Sequence, residues 1–122
     1  MINILWVAAG GAVGATLRFI STSSLKYTFP NFPAGTLTVN IIGSFFIGFL
    51  ISYMESKNIS SNFIKYFIII GILGSFTTFS SFSLEIIEMF NNNFFLISFF
   101  YALSSFLTCI FFCYLGFNFN KI

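Results

Sequence analysis

The sequence predicts an all-α membrane protein with four transmembrane helices, of which the third is broken. Of its 122 residues, 57% are hydrophobic and only 7% are charged, whereas ordinary soluble domains carry about 25% charged residues. Separate apolar segments reach the roughly 20 residues that a spanning helix needs. A dense cluster of Ser and Thr interrupts one of them. We therefore expect a single four-helix transmembrane domain over residues 1–122.

Short polar connections separate the apolar segments and leave no room for a soluble domain. The N-terminus lacks the basic region of a signal peptide, and its apolar run continues past any plausible cleavage site. We interpret it as a retained first span. Two prolines, a polar stretch and a run of asparagines mark the three connections. The expected spans are residues 2–21, 34–54, 63–90 and 94–117.

The first span carries small residues and one arginine. Gly10 and Gly14 form a GxxxG pattern, which lets two helix backbones approach closely. Arg18 stands near the end of the span. Its guanidinium either reaches the membrane interface and anchors the helix, or raises the anion concentration at the mouth of a pore. We favour the anchor.

Polar residues of the second and fourth spans lie on single helix faces, because they recur every three or four positions. Asn40 is the most unusual of them, since an amide in hydrocarbon needs partners. It either joins two helices or offers its N–H donors to an anion. The hydroxyls of the fourth span form a stripe, which favours a role in lining a water-filled path over a role in packing between helices. The two faces comprise Thr36, Asn40, Ser44 and Gly48, and Ser98, Tyr101, Ser105 and Thr108.

The third segment is too long for one straight span. Gly71 and Gly74 precede the Ser/Thr cluster, and we predict two half-helices joined by a non-helical stretch between Ser75 and Ser80. A polar interruption at membrane depth is tolerated only where it is buried in protein or lines a water-filled path. Broken helices of this kind can bind ions. The alternative is a continuous helix whose hydroxyls bond back to their own carbonyls.

Two aromatic residues are embedded in this cluster. Phe79 and Phe82 lie among the hydroxyls of the predicted break. An aromatic ring has a positive edge, so it can favour a small anion without carrying a charge. A Lys or Arg at the same place would risk holding the anion too tightly, and conduction requires release as well as entry.

The remaining composition excludes several classes of function. The chain has no His and no Asp, so neither a Ser-His-Asp triad nor a histidine zinc site is possible, and we expect no enzyme activity. The net charge of +2 gives no reason to expect a nucleic-acid partner. Cys109 and Cys113 are expected to pack as small apolar residues. Glu85 is expected to pair with Arg18 or a hydroxyl, or to couple transport to protons.

The distribution of basic residues leaves the orientation open. Both termini are expected on one side of the membrane, together with Lys57, Lys65 and Lys121, whereas Arg18 and Lys26 lie towards the other. Orientation normally follows the Lys and Arg excess of the cytoplasmic loops. This chain has almost none, so it either inserts both ways and forms an antiparallel homodimer, or follows its weak bias in one orientation.

Three motifs in order along the chain resemble the Fluc/CrcB fluoride channels. They are residues 10–19 (GGAVGATLRF), residues 35–45 with GTLTVN followed by GSF, and residues 71–85 with the TTFSSFS core. The resemblance extends over essentially the whole chain. It implies a dual-topology antiparallel homodimer in the cell (inner) membrane, with two fluoride pathways and a structural sodium ion at its centre.

The resemblance also implies roles for individual residues. The sodium ion would be held by the backbone carbonyls of Gly74 and Thr77. Cys109 stands where the family usually has a further hydroxyl. The fluoride pathway would be formed by Asn40, Thr78, Phe79, Phe82, Tyr101 and Ser105.

Two other functions are alternatives to passive fluoride export. A small proton-coupled multidrug exporter is also a four-span dual-topology dimer, but it needs a carboxylate deep in its substrate cavity, and the first span of this chain has none. A non-transporting assembly subunit would use its polar stripes only for helix contacts.

Overall fold

The computed structural model describes residues 1–121, which form a bundle of helices. The third span consists of two helices, α3 and α4. In α3, a π-helical segment, Phe63–Leu73, continues into one α-helical turn, Gly74–Phe76. The other helices are α1 (Ile2–Thr28), α2 (Ala34–Ser56), α4 (Phe79–Asn91) and α5 (Phe95–Phe119). Four spans in the described residues are long and apolar enough to cross a membrane, as the sequence predicts.

The first helix is longer than expected, because it continues to Thr28 instead of ending at Ser21. No proline stands in the chain before Pro30, so nothing breaks the helix earlier. Its polar side chains bond back to the same helix: the Thr22 hydroxyl donates to the Arg18 carbonyl at 2.9 Å. A hydroxyl satisfied in this way is tolerated within a helix.

The predicted break in the third span is confirmed and is narrower than expected. Only Thr77 and Thr78 leave the helical conformation, with φ, ψ of −80°, 156° and −152°, 122°. Ser75 and Phe76 still belong to α3, and Phe79 already begins α4. A break of two residues suffices because Thr78 itself caps the helix that follows.

The π-helical form of α3 is a feature that the sequence did not predict. The N–H of Gly74 reaches the carbonyl of Ile69, five residues earlier, as in a π-helix. The segment itself consists almost entirely of apolar residues. Its hydrophobic pattern therefore has no period that would indicate the wider turn.

Close glycine contacts join the helices in two pairs. Gly10 and Gly14 of α1 lie against the backbone of Phe67 and Ile72 in α3, so the GxxxG pattern does bring two backbones together. Gly48 of α2 and Gly116 of α5 make the equivalent approach in the second pair. The contacts between α1 and α3 and between α2 and α5 are the most extensive in the bundle.

The substitution Gly10→Ala is expected to lower the free energy of unfolding by about 1–3 kcal/mol, the usual cost of overpacking. The added methyl would overlap the Phe67 carbonyl, so α1 and α3 would have to separate. Trp6 packs edge-on against the Phe63 and Phe67 rings, with centroids 5.2 and 5.9 Å apart. Its fluorescence therefore reports this interface during denaturation in detergent.

Gly11→Ala is the matched control for this variant. Its methyl would approach only the Ser75 hydroxyl, at 3.3 Å, so we expect near wild-type stability. An equal loss of stability in both variants would contradict the role assigned to Gly10.

Candidate functional site

A groove of about 650 Å³ lies between α2, the broken third span and α5. It contains both apolar walls and polar groups from the break. Seven of the residues that the sequence analysis singled out lie along it, although their roles remain predictions: Asn40, Gly74, Thr77, Thr78, Phe79, Phe82 and Ser105. Ser44 and Cys109 also line it.

Asn40 holds the break through two hydrogen bonds. The Thr78 N–H donates to Asn40 Oδ1 at 2.7 Å, and Asn40 Nδ2 donates to the Thr78 carbonyl at 2.9 Å. The side chain thus replaces the backbone partners that Thr78 loses where the helix stops, and buried backbone groups require such partners. Asn40 therefore joins two helices, and one of its two amide hydrogens remains available for a ligand.

The break leaves two carbonyls without their helical donors. In a continuous helix, the Thr78 N–H would bond the Gly74 carbonyl, and the Ser81 N–H would bond the Thr77 carbonyl. Here the Thr78 N–H bonds Asn40, and the Ser81 N–H donates to Thr78 Oγ1 at 3.1 Å. The carbonyls of Gly74 and Thr77 are therefore free acceptors at the end of α3.

Thr78 also organises the hydroxyls of the cluster. Its side chain caps α4 by accepting the Ser81 N–H bond, which is the usual role of Thr before a helix. Its Oγ1 lies 3.1 Å from the Ser81 hydroxyl and 3.2 Å from that of Ser80. Ser81 in turn lines a second cavity, so this hydroxyl contact lies between the two cavities.

The two aromatic residues of the break differ in exposure. Phe79 is 77% exposed, whereas Phe82 is half-buried. Their ring centroids are 5.3 Å apart, and Phe82 lies equally close to the Tyr101 ring. The three rings therefore form a continuous row that begins at the open side of the groove and ends in the core.

The side chain of Tyr101 is only 1% exposed, and its hydroxyl does not face the groove as an open donor. It donates to Glu85 Oε2 at 2.7 Å, and the Thr36 hydroxyl donates to Glu85 Oε1. The sequence leaves either Arg18 or a hydroxyl as the partner of Glu85, and the structure shows two hydroxyls, those of Thr36 and Tyr101. No ion pair joins Glu85 to Arg18 in the described residues.

Ser105 is the buried polar side chain of the groove that has no partner. It is 6% exposed, and its Oγ makes no hydrogen bond of normal geometry within residues 1–121, although the Tyr101 hydroxyl is a neighbour. A buried hydroxyl without a partner costs about 1–3 kcal/mol. Such a group is therefore expected to serve a ligand that enters the groove. Further along the stripe, Thr108 instead bonds back to the Ser104 carbonyl at 2.6 Å.

The second cavity, of about 640 Å³, carries charged groups of both signs. The half-buried Arg18 lies in its wall together with Lys26, Glu85 and Glu88. This placement suits a vestibule as well as a helix anchor, so the two roles considered for Arg18 remain compatible.

The contacts of Glu85 with Thr36 and Tyr101 are not predicted by the sequence. Thr36 lies on the same helix face as Asn40, and Tyr101 shares a face with Ser105. The facing stripes were visible in the sequence. However, which residue of the third span meets them depends on the exact position of the break, and the sequence left that position open over several residues.

The cap at Thr78 can be tested by substitution. Thr78→Val removes the acceptor for the Ser81 N–H but keeps the shape of the side chain and both backbone bonds to Asn40. We expect the free energy of unfolding to fall by about 1 kcal/mol, the typical value of a helix cap. Thr78→Ser keeps the hydroxyl and should stay near wild type. Denaturation in detergent measures both, and equal stability of all three proteins would contradict the capping role.

Comparison with known proteins identifies the family. Residues 5–117 match the family "CrcB-like protein, Camphor Resistance (CrcB)". The chain is 44% identical over 111 residues to the fluoride-specific ion channel FluC of Agrobacterium fabrum, which covers 90% of this chain and 89% of that protein. It is 43% identical over 122 residues to FluC of Campylobacter fetus, covering 98% and 94%. With four spans of membrane-crossing length, the chain is a multi-pass membrane protein, and it belongs to the CrcB family.

Proposed function

We propose that the protein is a passive, fluoride-selective channel that exports fluoride across the cell membrane and so relieves fluoride toxicity. The observation that carries the proposal is the groove, where donors and ring edges surround a buried, unpartnered hydroxyl with no titratable carboxylate or amine among its lining residues. The names of the relatives, fluoride-specific ion channels, support the choice of ion. A channel of this kind needs no enzyme chemistry.

Fluoride must exchange its water for donors of the protein. The free amide hydrogen of Asn40, the hydroxyl of Ser105 and the ring edges of Phe79 and Phe82 are the available donors along the groove. Thr78 would join them by turning its hydroxyl from Ser81 to the anion. None carries a positive charge, so the anion can leave as well as enter.

The anion path continues from the groove to the second cavity. The hydroxyl contact between Thr78 and Ser81 and the row of rings from Phe79 through Phe82 to Tyr101 both lead in this direction. Tyr101 lies at the far end of this row. Its hydroxyl would contact the anion by giving up its hydrogen bond to Glu85 and donating to fluoride instead. Arg18 would attract anions to the mouth of the path.

The free carbonyls at the break support an antiparallel homodimer. Lipid cannot satisfy the Gly74 and Thr77 carbonyls, and irregular backbone at membrane depth must be covered by protein or water. Gly74 and Phe79 are both exposed in the single chain, so this open side needs a cover. A second copy supplies it, and the nearly balanced basic residues allow that copy to insert in the opposite orientation.

The same carbonyls fit the structural sodium ion that the family resemblance implies. Unwound carbonyls at half-helix ends are typical sodium ligands in membrane proteins, and two copies would bring four of them together. Bound there, sodium would neutralise their partial negative charge and connect the two copies. Asn40 supports this arrangement, because it withdraws the Thr78 N–H from the Gly74 carbonyl.

Of the alternatives, proton-coupled multidrug export finds no support in the relatives. The carboxylate best placed for it, Glu85, is held by two hydroxyls at the edge of the second cavity and does not line the groove. In an assembly subunit without transport, no ligand would offset the cost of burying the unpartnered Ser105 hydroxyl.

Fluoride efflux from liposomes tests the proposal. With a potassium gradient and a potassium ionophore, the reconstituted protein should release fluoride rapidly and chloride no faster than empty liposomes do. Efflux should be independent of a proton gradient. Absence of fluoride efflux would refute the channel, and efflux that requires a proton gradient would favour coupled export.

Substitutions in the groove test the pathway. Phe79→Ile removes the ring edge from the open side of the groove and should reduce fluoride efflux by about tenfold or more, equivalent to about 1.4 kcal/mol in the barrier. Asn40→Ala should reduce efflux similarly and should also lower stability, because the break loses two hydrogen bonds. Size-exclusion chromatography checks that each dimer stays intact.

Phe99→Ile is the matched control for Phe79→Ile. Phe99 is 61% exposed and lies on α5 outside the groove, so its substitution should leave efflux unchanged. Wild-type efflux in Phe79→Ile, or equal loss in Phe99→Ile, would refute the assignment of the groove as the fluoride path.

A further inference from the structure

The groove contains a thiol that the channel function does not require. Cys109 lies on α5 one turn beyond Ser105, lines the groove, and is half-buried and free of any disulfide. Its side chain neighbours Ser44 of the facing helix α2. Cys113, one turn further, is also half-buried but does not line the groove. The two cysteines of this chain therefore differ in their access to the groove.

A second observation places a ligand position beside this thiol. The Ser105 hydroxyl lies on the same face of α5, four residues before Cys109, and is buried without a hydrogen-bond partner. It lines the same groove. A ligand attached to Cys109 therefore finds an unused oxygen within one helical turn, and Ser44 offers another across the groove.

We propose that Cys109 is a binding site for soft, thiophilic metal ions such as mercuric ion. Soft metals prefer thiolate ligands, and the thiolate is the form that binds. A sulfur–mercury bond forms, the thiol proton passes to water, and one chloride leaves mercuric chloride, so no oxidant or reductant is needed. No cluster of three or more His, Cys, Asp or Glu side chains exists within residues 1–121. Cys113 does not line the groove, so the site in the groove is assigned to the Cys109 thiol alone, and Cys113→Ser tests whether Cys113 takes part.

Metal bound at Cys109 should close the proposed anion path. The mercury and its remaining chloride would occupy the polar side of the groove beside Ser105 and obstruct any anion that entered. This consequence depends on the proposed function, because it requires that fluoride passes through the groove. The attachment of mercury itself does not depend on it.

The experiment treats the reconstituted chain and two single-cysteine variants with mercuric chloride. Intact-mass measurement and peptide mapping locate the bound mercury, and fluoride efflux is compared with the untreated efflux of the same variant. We expect the wild type and Cys113→Ser to gain mercury at Cys109 and to lose most of their efflux, with recovery after an excess of free thiol. Cys109→Ser should retain its own untreated efflux.

Each outcome bears on a separate claim. Mercury found only at Cys113 in the wild type would overturn the site whether or not the variants fold. Equal inhibition of Cys109→Ser and Cys113→Ser would overturn it as well, and full efflux with mercury at Cys109 would overturn the blocking role. If no protein conducts fluoride, the proposed function fails, while the mass measurement still decides whether Cys109 is the thiophilic site.

Discussion

The whole arrangement depends on the pair of hydrogen bonds between the Asn40 amide and the backbone of Thr78. A helix broken inside a bilayer exposes polar backbone that lipid cannot satisfy. Asn40 satisfies both groups of Thr78 from another helix, and Thr78 then caps α4 with its own side chain. One amide thus allows a span to break at two residues without a longer loop.

That same pair also determines the chemistry of the break. By taking the Thr78 N–H, Asn40 leaves the Gly74 carbonyl without its helical donor, and the cap does the same for the Thr77 carbonyl. Acceptors therefore collect at the end of α3, and hydroxyls and ring edges lie beside them along the same groove. The proposed cation and anion sites are consequences of a single local interaction, although they attract ions of opposite charge.

Length and polarity were sufficient to predict four spans and a break in the third, and helical spacing together with the family resemblance indicated most of the polar residues along the groove. The sequence was less informative where partners decide the role of a residue. For Asn40 the sequence left two roles open, a helix contact and a donor to an anion; the structure shows the contact, and the donor role stays a prediction. The hydrogen bonds of Glu85 to Thr36 and Tyr101 and the π-helical form of α3 depend on the register between helices, which no local pattern specifies.

The most direct test of the central claim is a structure determined in lipid with sodium and fluoride present. The account predicts two antiparallel copies, a cation between the Gly74 and Thr77 carbonyls of both, and anion density beside Asn40, Phe79 and Phe82. Thr78 should keep both bonds to Asn40. A continuous helix through Thr77 and Thr78, or an assembled protein in which Phe79 faces lipid and the groove holds no anion, would contradict it.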